Sequence, residues 1–213
     1  MRSKPDREIS RDDKGVTVAI HPEYVMKHYH AEPAHISAEE QARRLQDEVD
    51  IYRRFAARQC PFAPDLLGYS MKERKFFISR LEGEDLLSLA LRGVELPVGS
   101  ILTQLDTINA WLRRHDFPDM GNNIKDLILD PGGRVRVVDF ECDYPSRKPD
   151  FYNAIVADLA QRWLGVGAKL GKSNRQIRRL WLAVLKKRPL ATIRCTAYYS
   201  LLKIAKKLRE EKR

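Results

Sequence analysis

The segment from Asn122 to Glu141 constrains the fold more than any other stretch of this sequence. It contains two short apolar runs joined by an Asp-Pro-Gly-Gly link at 130–133. Proline and glycine between β-rich runs indicate a tight hairpin, because glycine readily adopts the positive φ angles that such turns require. Asp126 enters the first run and Asp139 follows the second. The hairpin therefore predicts two carboxylates close together at one end of a small sheet.

Two interpretations of these carboxylates follow. A surface hairpin can carry two ordinary solvated aspartates. Alternatively, Asp126 and Asp139 bind a divalent cation, because Mg²⁺ prefers oxygen ligands and is commonly held by one or two carboxylates together with the phosphates of a substrate. The hairpin residues by themselves do not separate these interpretations.

Local patterns elsewhere predict a sheet followed by helices. Four runs rich in β-branched and aromatic residues are typical of strands: 16–21, 24–30, 65–69 and 75–79. A helix is predicted to begin at Ser37, where Glu40 three residues later completes a capping box. Further helices are predicted over 101–117 and from about 174 to 185. Residues 1–15 are polar, and we expect them to be loosely ordered.

Composition excludes several classes of protein. The chain has 213 residues, of which 43% are hydrophobic, and this suits one compact domain or two small lobes. No run approaches the roughly 18 apolar residues of a membrane-spanning helix, and the N-terminal stretch lacks the apolar region of a secretory signal. The three cysteines are widely spaced and fit neither a disulfide framework nor a zinc site. We expect a cytoplasmic, reduced protein.

The net charge of +10 favours an anionic partner, namely a nucleotide, a nucleic acid or an acidic membrane face. A last helix, predicted over about 190–208, is apolar on one side and basic on the other. It either packs its apolar side on its own domain or makes peripheral contact with an anionic membrane, whereas a purely solvated basic face is the third interpretation. No helix-turn-helix, zinc or RNA-binding signature is present, so nucleic acid is not favoured.

The hairpin resembles the catalytic and metal-binding segment of the protein-kinase-like superfamily. In that family two short strands separate a metal-binding Asn from Asp-Phe-Gly, or from Asp-Phe-Glu in the small-molecule branches. Here Asp139-Phe140-Glu141 matches Asp-Phe-Glu, and Asp126 falls where the Asn usually lies. The resemblance covers about 16–164 and is strongest to small bacterial proteins of the lipopolysaccharide-core sugar (heptose/Kdo) kinase type.

The resemblance implies an α+β, bilobal protein-kinase-like fold. A small antiparallel-sheet N-lobe with one helix would occupy about 1–82, and a mostly helical C-lobe core would occupy 83–173. Basic C-terminal helices would follow at 174–213. All three parts would belong to a single kinase-like domain.

The resemblance also implies a site for ATP and Mg²⁺. Lys27, in a segment that resembles the family's Val-Ala-Ile-Lys, would contact the phosphates, and Glu48 on the first helix would pair with it. Backbone groups at Leu81 and Glu82, in a segment similar to the family's hinge, would hold the adenine. The remaining implied residues are the Mg²⁺ ligands Asp126 and Asp139 and the acid–base residue Asp119.

The sequence departs from the family pattern at two places. Gly121 stands where the catalytic base is expected, so Asp119, two residues upstream, is the nearest carboxylate. A second register pairs Asp119 with Asn123 but shortens the loop. The glycine-rich phosphate loop is also missing, because residues 12–15 read Asp-Asp-Lys-Gly. Both departures weaken the prediction of catalysis.

Two functions are therefore compatible with the sequence. The first is transfer of the ATP γ-phosphate to a hydroxyl of a lipopolysaccharide-core sugar or of a protein Ser/Thr, with an acidic glycolipid or a protein as the acceptor. The second is a catalytically impaired pseudokinase that acts as a regulatory or scaffolding module. Gly121 is the feature that favours the second.

Overall fold

The computed structural model of the protein describes residues 7–11, 15–30, 36–117, 124–140 and 174–187. These residues form an antiparallel sheet, a smaller sheet and several helices, which confirms the predicted α+β class. The chain divides into two compact units. The first consists of Met1–Glu82 and Arg136–Cys142, and the second consists of Gly83–Val135 and Asp143–Arg213.

The first unit is built on a five-stranded antiparallel sheet. Its strands are β1 (Arg7–Arg11), β2 (Val16–Ile20), β3 (Tyr24–Tyr29), β4 (Leu66–Ser70) and β5 (Lys75–Ser79). They lie in the order β1-β2-β3-β5-β4. The four strands predicted from the sequence are thus confirmed, with boundaries that differ by a residue or two.

Strand β1 corrects the expectation that residues 1–15 are loosely ordered. Arg7–Arg11 pairs along the whole of β2, from Arg7 opposite Ile20 to Arg11 opposite Val16. Without this partner, β2 would present a row of unpaired N–H and C=O groups at the sheet edge. The five residues are mostly polar, so the hydrophobic pattern gave no sign of the strand.

Helix α1 (Ala38–Ala57) begins where the capping pattern predicted it. The Ser37 hydroxyl accepts a hydrogen bond from the backbone N–H of Glu40 at 3.1 Å, which satisfies one of the helix's free N-terminal donors. The residues on its buried face recur at helical spacing: Leu45, Glu48, Val49, Tyr52 and Phe55. Glu48 is the one carboxylate in that group, so α1 carries a carboxylate into the core of the first unit.

The second unit contains helices α2 (Leu86–Leu91), α3 (Val98–Arg114) and α4 (Asn174–Lys187) and a 3-10 turn at Ile124–Asp126. Strands β6 (Glu84–Asp85) and β7 (Leu127–Leu129) pair antiparallel. Gly83 has φ +115 and lies so close to this pair that a Cβ there would stand 2.3 Å from the Leu129 carbonyl oxygen. Only glycine fits at this position.

The predicted hairpin is confirmed as β7 followed by β8 (Val135–Val137). Its turn is held by Asp130, whose carboxylate accepts hydrogen bonds from the Arg134 backbone N–H at 2.9 Å and from Arg134 Nε at 2.7 Å. The Gln104 side chain donates to the Gly133 carbonyl and accepts from the Val135 N–H. These contacts fix the link between the strands, and β8 then continues from the second unit into the first.

Among the described helices, none combines the length and the apolar character that are needed to cross a membrane.

Candidate functional site

Lys27 is a buried lysine in the middle of the first unit's sheet. It lies on β3 opposite Phe76 of β5, and its Nζ is 5.7 Å from the centre of the Phe76 ring. Only 6% of the residue is exposed. An ammonium group is rarely buried unless it is paired, and two carboxylates meet this one. Lys27 Nζ donates to Glu48 Oε1 and to Asp139 Oδ1, each at 2.5 Å.

Glu48 is held from two sides. It is 2% exposed, and while Oε1 accepts from Lys27, Oε2 accepts a hydrogen bond from the hydroxyl of Tyr29. Tyr29 follows Lys27 by two residues on β3, so both side chains leave the same face of the strand. Sequence analysis missed Tyr29 as a site residue, although this spacing was its visible signal.

The electrostatics keep these groups in the protonation states that the contacts require. Burial alone would lower the pKa of Lys27, but the carboxylates of Asp139 and Glu48 outweigh it and hold that pKa well above its ordinary value. Burial, followed by the charge of Glu48, raises the pKa of the Tyr29 hydroxyl well above its ordinary value. Lys27 therefore stays charged, and Tyr29 keeps the proton that it donates.

The surroundings of Glu48 disfavour its charged form, whereas those of Lys27 favour the charged form. Burial raises the pKa of the Glu48 carboxyl, Asp139 adds to the rise, and Lys27 opposes it. Burial and Glu48 also raise the pKa of the nearby Tyr52 hydroxyl well above its ordinary value. The cluster thus places two carboxylates and one ammonium in a poorly solvated space, where an added positive charge would be stabilised.

Asp139 reaches Lys27 through an unusual backbone conformation. Its φ is 62°, in the left-handed region that aspartate tolerates better than most residues with a Cβ. The next residue, Phe140, is fully buried, and its ring centre lies 4.6 Å from that of Phe55 and 5.5 Å from that of Tyr52. Phe140 therefore anchors the segment, so that a strained conformation of the kind found at functional sites persists.

The donor set of this cluster suits phosphate and a divalent cation. An ammonium has three N–H donors, and two of those on Lys27 are directed at Glu48 and Asp139. The third has no acceptor among the described residues, and it can donate to a phosphate oxygen. Carboxylate oxygens such as those of Asp139 are the ligands that Mg²⁺ prefers. No group of three or more metal-ligating side chains occurs within the described ranges.

The predicted hinge lies directly after β5. The backbone N–H of Arg80 still donates to the Glu23 carbonyl at 3.1 Å. Leu81, which is half-buried, and Glu82, which is exposed, make no backbone hydrogen bond to another residue in the described part of the chain. Their N–H and C=O groups are the kind that can bind the edge of a planar heterocycle. Their assignment to adenine stays a prediction.

The structure does not test the roles of two further predicted site residues, Asp126 and Asp119. Asp126 is 4% exposed at the end of the 3-10 turn, and it belongs to the second unit, whereas Asp139 belongs to the first. Their joint Mg²⁺ site stays a prediction. Asp119, the predicted acid–base residue, lies outside the described residues together with Gly121, and its role stays a prediction too.

Comparison with known proteins gives a likeness in structure only. No protein-family model matches the chain, and no curated protein matches it in sequence. The high-resolution crystal structure of WbdD is similar with a TM-score of 0.55 and 17% identity, over 85% of this chain and 46% of that one. A WbdD structure with its C-terminal bundle ordered gives a TM-score of 0.59 and 17% identity, over 94% and 50%.

A third WbdD structure, described as a bifunctional kinase-methyltransferase, has a TM-score of 0.52 and 19% identity over 83% of this chain and 43% of that one. WbdD has also been crystallised with the kinase inhibitor LY294002. The chain spans about half the length of WbdD or less. At such identities the likeness shows the fold alone, and this chain shares its fold with part of WbdD.

Proposed function

We propose that this chain is a phosphotransferase with a bilobal kinase-like fold, which moves the γ-phosphate of ATP to a hydroxyl group. The observation that carries the proposal is the contact of the buried Lys27 ammonium with both Glu48 and Asp139 at 2.5 Å. A buried ammonium that contacts two carboxylates, one of them a buried glutamate with a raised pKa, is a candidate functional site. The fold shared with part of WbdD, a kinase-methyltransferase, supports the same proposal.

In this proposal the residues of the cluster position a phosphate. Glu48 and Tyr29 orient the Lys27 ammonium, whose remaining N–H donates to a phosphate oxygen. Phe140 and Tyr52, both fully buried, exclude water beside Asp139. Asp139 and Asp126 would hold Mg²⁺, which when bound neutralises negative charge on the phosphates. Phosphoryl transfer depends mainly on such positioning and electrostatics.

The acceptor is proposed to be a hydroxyl of a lipopolysaccharide-core sugar on an acidic glycolipid, with a protein Ser/Thr as the alternative. Asp119 would orient that hydroxyl and accept its proton, since Gly121 has no side chain to do so. Leu81 and Glu82 would hold the adenine through backbone groups.

A catalytically impaired pseudokinase is the second candidate, and one observation favours it. The Asp139 carboxylate that is predicted to bind Mg²⁺ is already engaged by Lys27. Gly121 and the missing glycine-rich loop point the same way. In that case the cluster would bind nucleotide weakly or serve only to hold the fold.

Thermal unfolding with ATP, with and without Mg²⁺, tests the proposal in wild type, Lys27→Met and Asp139→Asn. Asparagine is chosen because it tolerates the left-handed backbone at this position. Binding to the folded state raises the unfolding temperature by roughly 5 to 10 °C at about a hundred times Kd. We expect a Mg²⁺-dependent rise in wild type that both variants lose and that the exposed-site control Asp65→Asn keeps.

The outcomes separate the two candidates. A rise that does not need Mg²⁺ and survives Asp139→Asn would support the pseudokinase. No rise in wild type would exclude nucleotide binding at this site. If the Mg²⁺-dependent rise is found, transfer of labelled γ-phosphate to lipopolysaccharide-core acceptors should follow, and Asp119→Asn should slow that transfer while it leaves the thermal shift unchanged.

A further inference from the structure

Helix α4 presents a one-sided positive charge. It contains five basic residues and no acidic residue. Where the structure describes the side chains of this helix, the exposed ones are cationic with one exception: Arg175, Arg178, Arg179, Leu182, Lys186 and Lys187. Gln176, Leu180 and Val184, which are spaced four residues apart, are buried and fix which side of the helix faces outward.

The exposed residues are concentrated on a narrow strip. With 3.6 residues per turn, successive residues are separated by about 100°, so five of the six fall within an arc of roughly 100°. We call this strip the α4 cationic face, defined by Arg175, Arg178, Arg179, Leu182 and Lys186. Lys187 lies to the side of it and pairs with Asp106 of α3.

The α4 cationic face keeps an excess of positive charge. Arg179 forms an ion pair with Glu95 at 2.7 Å. The hydrogen bond from Arg179 lowers the pKa of the Glu95 carboxyl, and the charges of Arg179 and Arg175 lower it further, so Glu95 is ionised at neutral pH. Arg175 and Lys186 have no ion-pair partner among the described residues, so the face keeps positive charge that Glu95 does not balance. A strip with this imbalance attracts a surface that carries many negative charges.

We propose that the α4 cationic face binds the surface of an anionic phospholipid bilayer. Leu182 lies at the middle of the arc and is 40% exposed, so it can enter the boundary between head groups and acyl chains. The flanking arginines and Lys186 can then reach the lipid phosphates with their long side chains. A nucleic-acid backbone would use the cations but would gain little from a central leucine. The proposal stands on α4 alone and does not rest on the proposed function.

Vesicle sedimentation tests the proposal with the full chain. The vesicles contain either phosphatidylcholine alone or phosphatidylcholine and phosphatidylglycerol in equal parts. We expect wild type to bind only the anionic vesicles and to be released by high salt. Each basic residue near such a surface contributes about a fivefold change in affinity. The triple variant Arg175→Gln/Arg178→Gln/Lys186→Gln should therefore bind on the order of a hundredfold more weakly.

A matched control removes the same net charge elsewhere. Arg53→Gln/Arg58→Gln/Lys72→Gln changes three exposed cations of the first unit, and it should keep most of the vesicle binding. Equal losses in the two triple variants would overturn the proposal, because binding would then follow the overall charge of the chain. Full binding by the α4 triple variant would overturn it as well, since the contact would lie elsewhere.

Leu182→Asn separates a bilayer from a nucleic acid. We expect a several-fold loss of vesicle binding and no change in the binding of double-stranded DNA measured in parallel. Binding to DNA but not to vesicles in wild type would overturn the proposal in favour of a nucleic-acid surface. The unfolding midpoint of every variant is measured first, and the single substitutions replace the triple variant if the midpoint falls. Their losses should then multiply to the same total.

Discussion

Helix α1 carries ion pairs on two faces, and the two sets differ far more in solvent exposure than in contact distance. On the buried face, Glu48 meets Lys27 at 2.5 Å, with side-chain exposures of 3% and 8%. On the outer face, Arg43 meets Glu40 at 2.9 Å, and the Arg43 side chain is 63% exposed. The outer pairs lie in water, where side-chain entropy and screening cancel most of the attraction. The inner pair lies where a lost partner cannot be replaced by water.

The comparison teaches that the contact distance of an ion pair says little about what the pair does. Breaking an exposed pair costs little, whereas breaking a buried pair leaves an uncompensated charge. Buried ion pairs are also often no better for stability than well-packed apolar residues. The presence of Lys27 and Glu48 in the core, in contact with the half-buried Asp139, therefore favours a functional explanation, and the contrast between the two faces of α1 can be tested directly.

Loss of the central cation should have the largest effect. Lys27→Met leaves the buried Glu48 and the half-buried Asp139 without the ammonium that both contact. We expect the free energy of unfolding at neutral pH to fall by about 3 to 5 kcal/mol, measured by urea denaturation. A loss below about 1 kcal/mol would mean that the ion pair on the buried face of α1 contributes no more than an exposed pair.

Neutralising the whole cluster should restore part of that loss. Lys27→Met combined with Glu48→Gln and Asp139→Asn removes both uncompensated carboxylates while keeping their shapes. We expect it to be about 2 kcal/mol more stable than Lys27→Met alone. The same variant should show no thermal shift with ATP and Mg²⁺. Recovered nucleotide binding would show that the charges of the cluster are not what the ligand recognises.

Removing the Tyr29 hydroxyl should have an intermediate effect. Tyr29→Phe leaves Glu48 Oε2 buried without the hydrogen bond that it accepts, and we expect a loss of about 1 to 2 kcal/mol at neutral pH. Tyr69→Phe, which changes an exposed tyrosine of β4, is the matched control. Similar losses of unfolding free energy in both variants would show that the Tyr29 hydroxyl has no special role.

The same substitution has an expected signature at alkaline pH. Burial raises the pKa of folded Tyr29 well above 10.0, so the unfolded chain loses this proton first as the pH rises. The folded state then holds more protons, and its stability falls above about pH 10. Tyr29→Phe lacks this contribution. Its stability should decline less steeply than that of wild type, by up to about 1.4 kcal/mol per pH unit.

The outer face of α1 should give the smallest effect. Arg43→Met removes the ion pairs with Glu40 and Asp47. We expect a change below about 0.5 kcal/mol, and added salt should reduce it further. A change as large as that of Lys27→Met, measured under identical conditions, would contradict the distinction between the two faces.

Short sequence patterns predicted most of the helices and strands. One element that they did not predict depends on pairing between strands. The Ser37 cap and the Pro-Gly-Gly link each act over a few residues, so the sequence located α1 and the β7–β8 hairpin. Strand β1 was not predicted, because its extended conformation comes from pairing with β2 and not from its own polar residues. Element boundaries differ from the predicted ones by up to three residues, as for the helix predicted over 101–117 and found at Val98–Arg114.

The candidate site was only partly visible in the sequence. Family resemblance singled out Lys27, Glu48 and Asp139, and the structure brings these three together. It was not visible that Asp139 contacts Lys27, because 112 residues separate them along the chain. Tyr29 was missed although it lies two residues from Lys27, since a tyrosine on a strand is common and its partner, Glu48, lies on another element.

The division of the first unit into two chain segments has a consequence for the order in which the protein is made. Its sheet and α1 leave the ribosome early, but Asp139 and Phe140 follow only after all of Gly83–Val135 has been synthesised. Until then Lys27 and Glu48 lack their third partner, and the aromatic residues that pack on Phe140 stay uncovered. Closing so long a loop is entropically costly and slow. The nascent chain therefore passes through a stage in which apolar surface is exposed, the stage at which chaperones act on larger proteins.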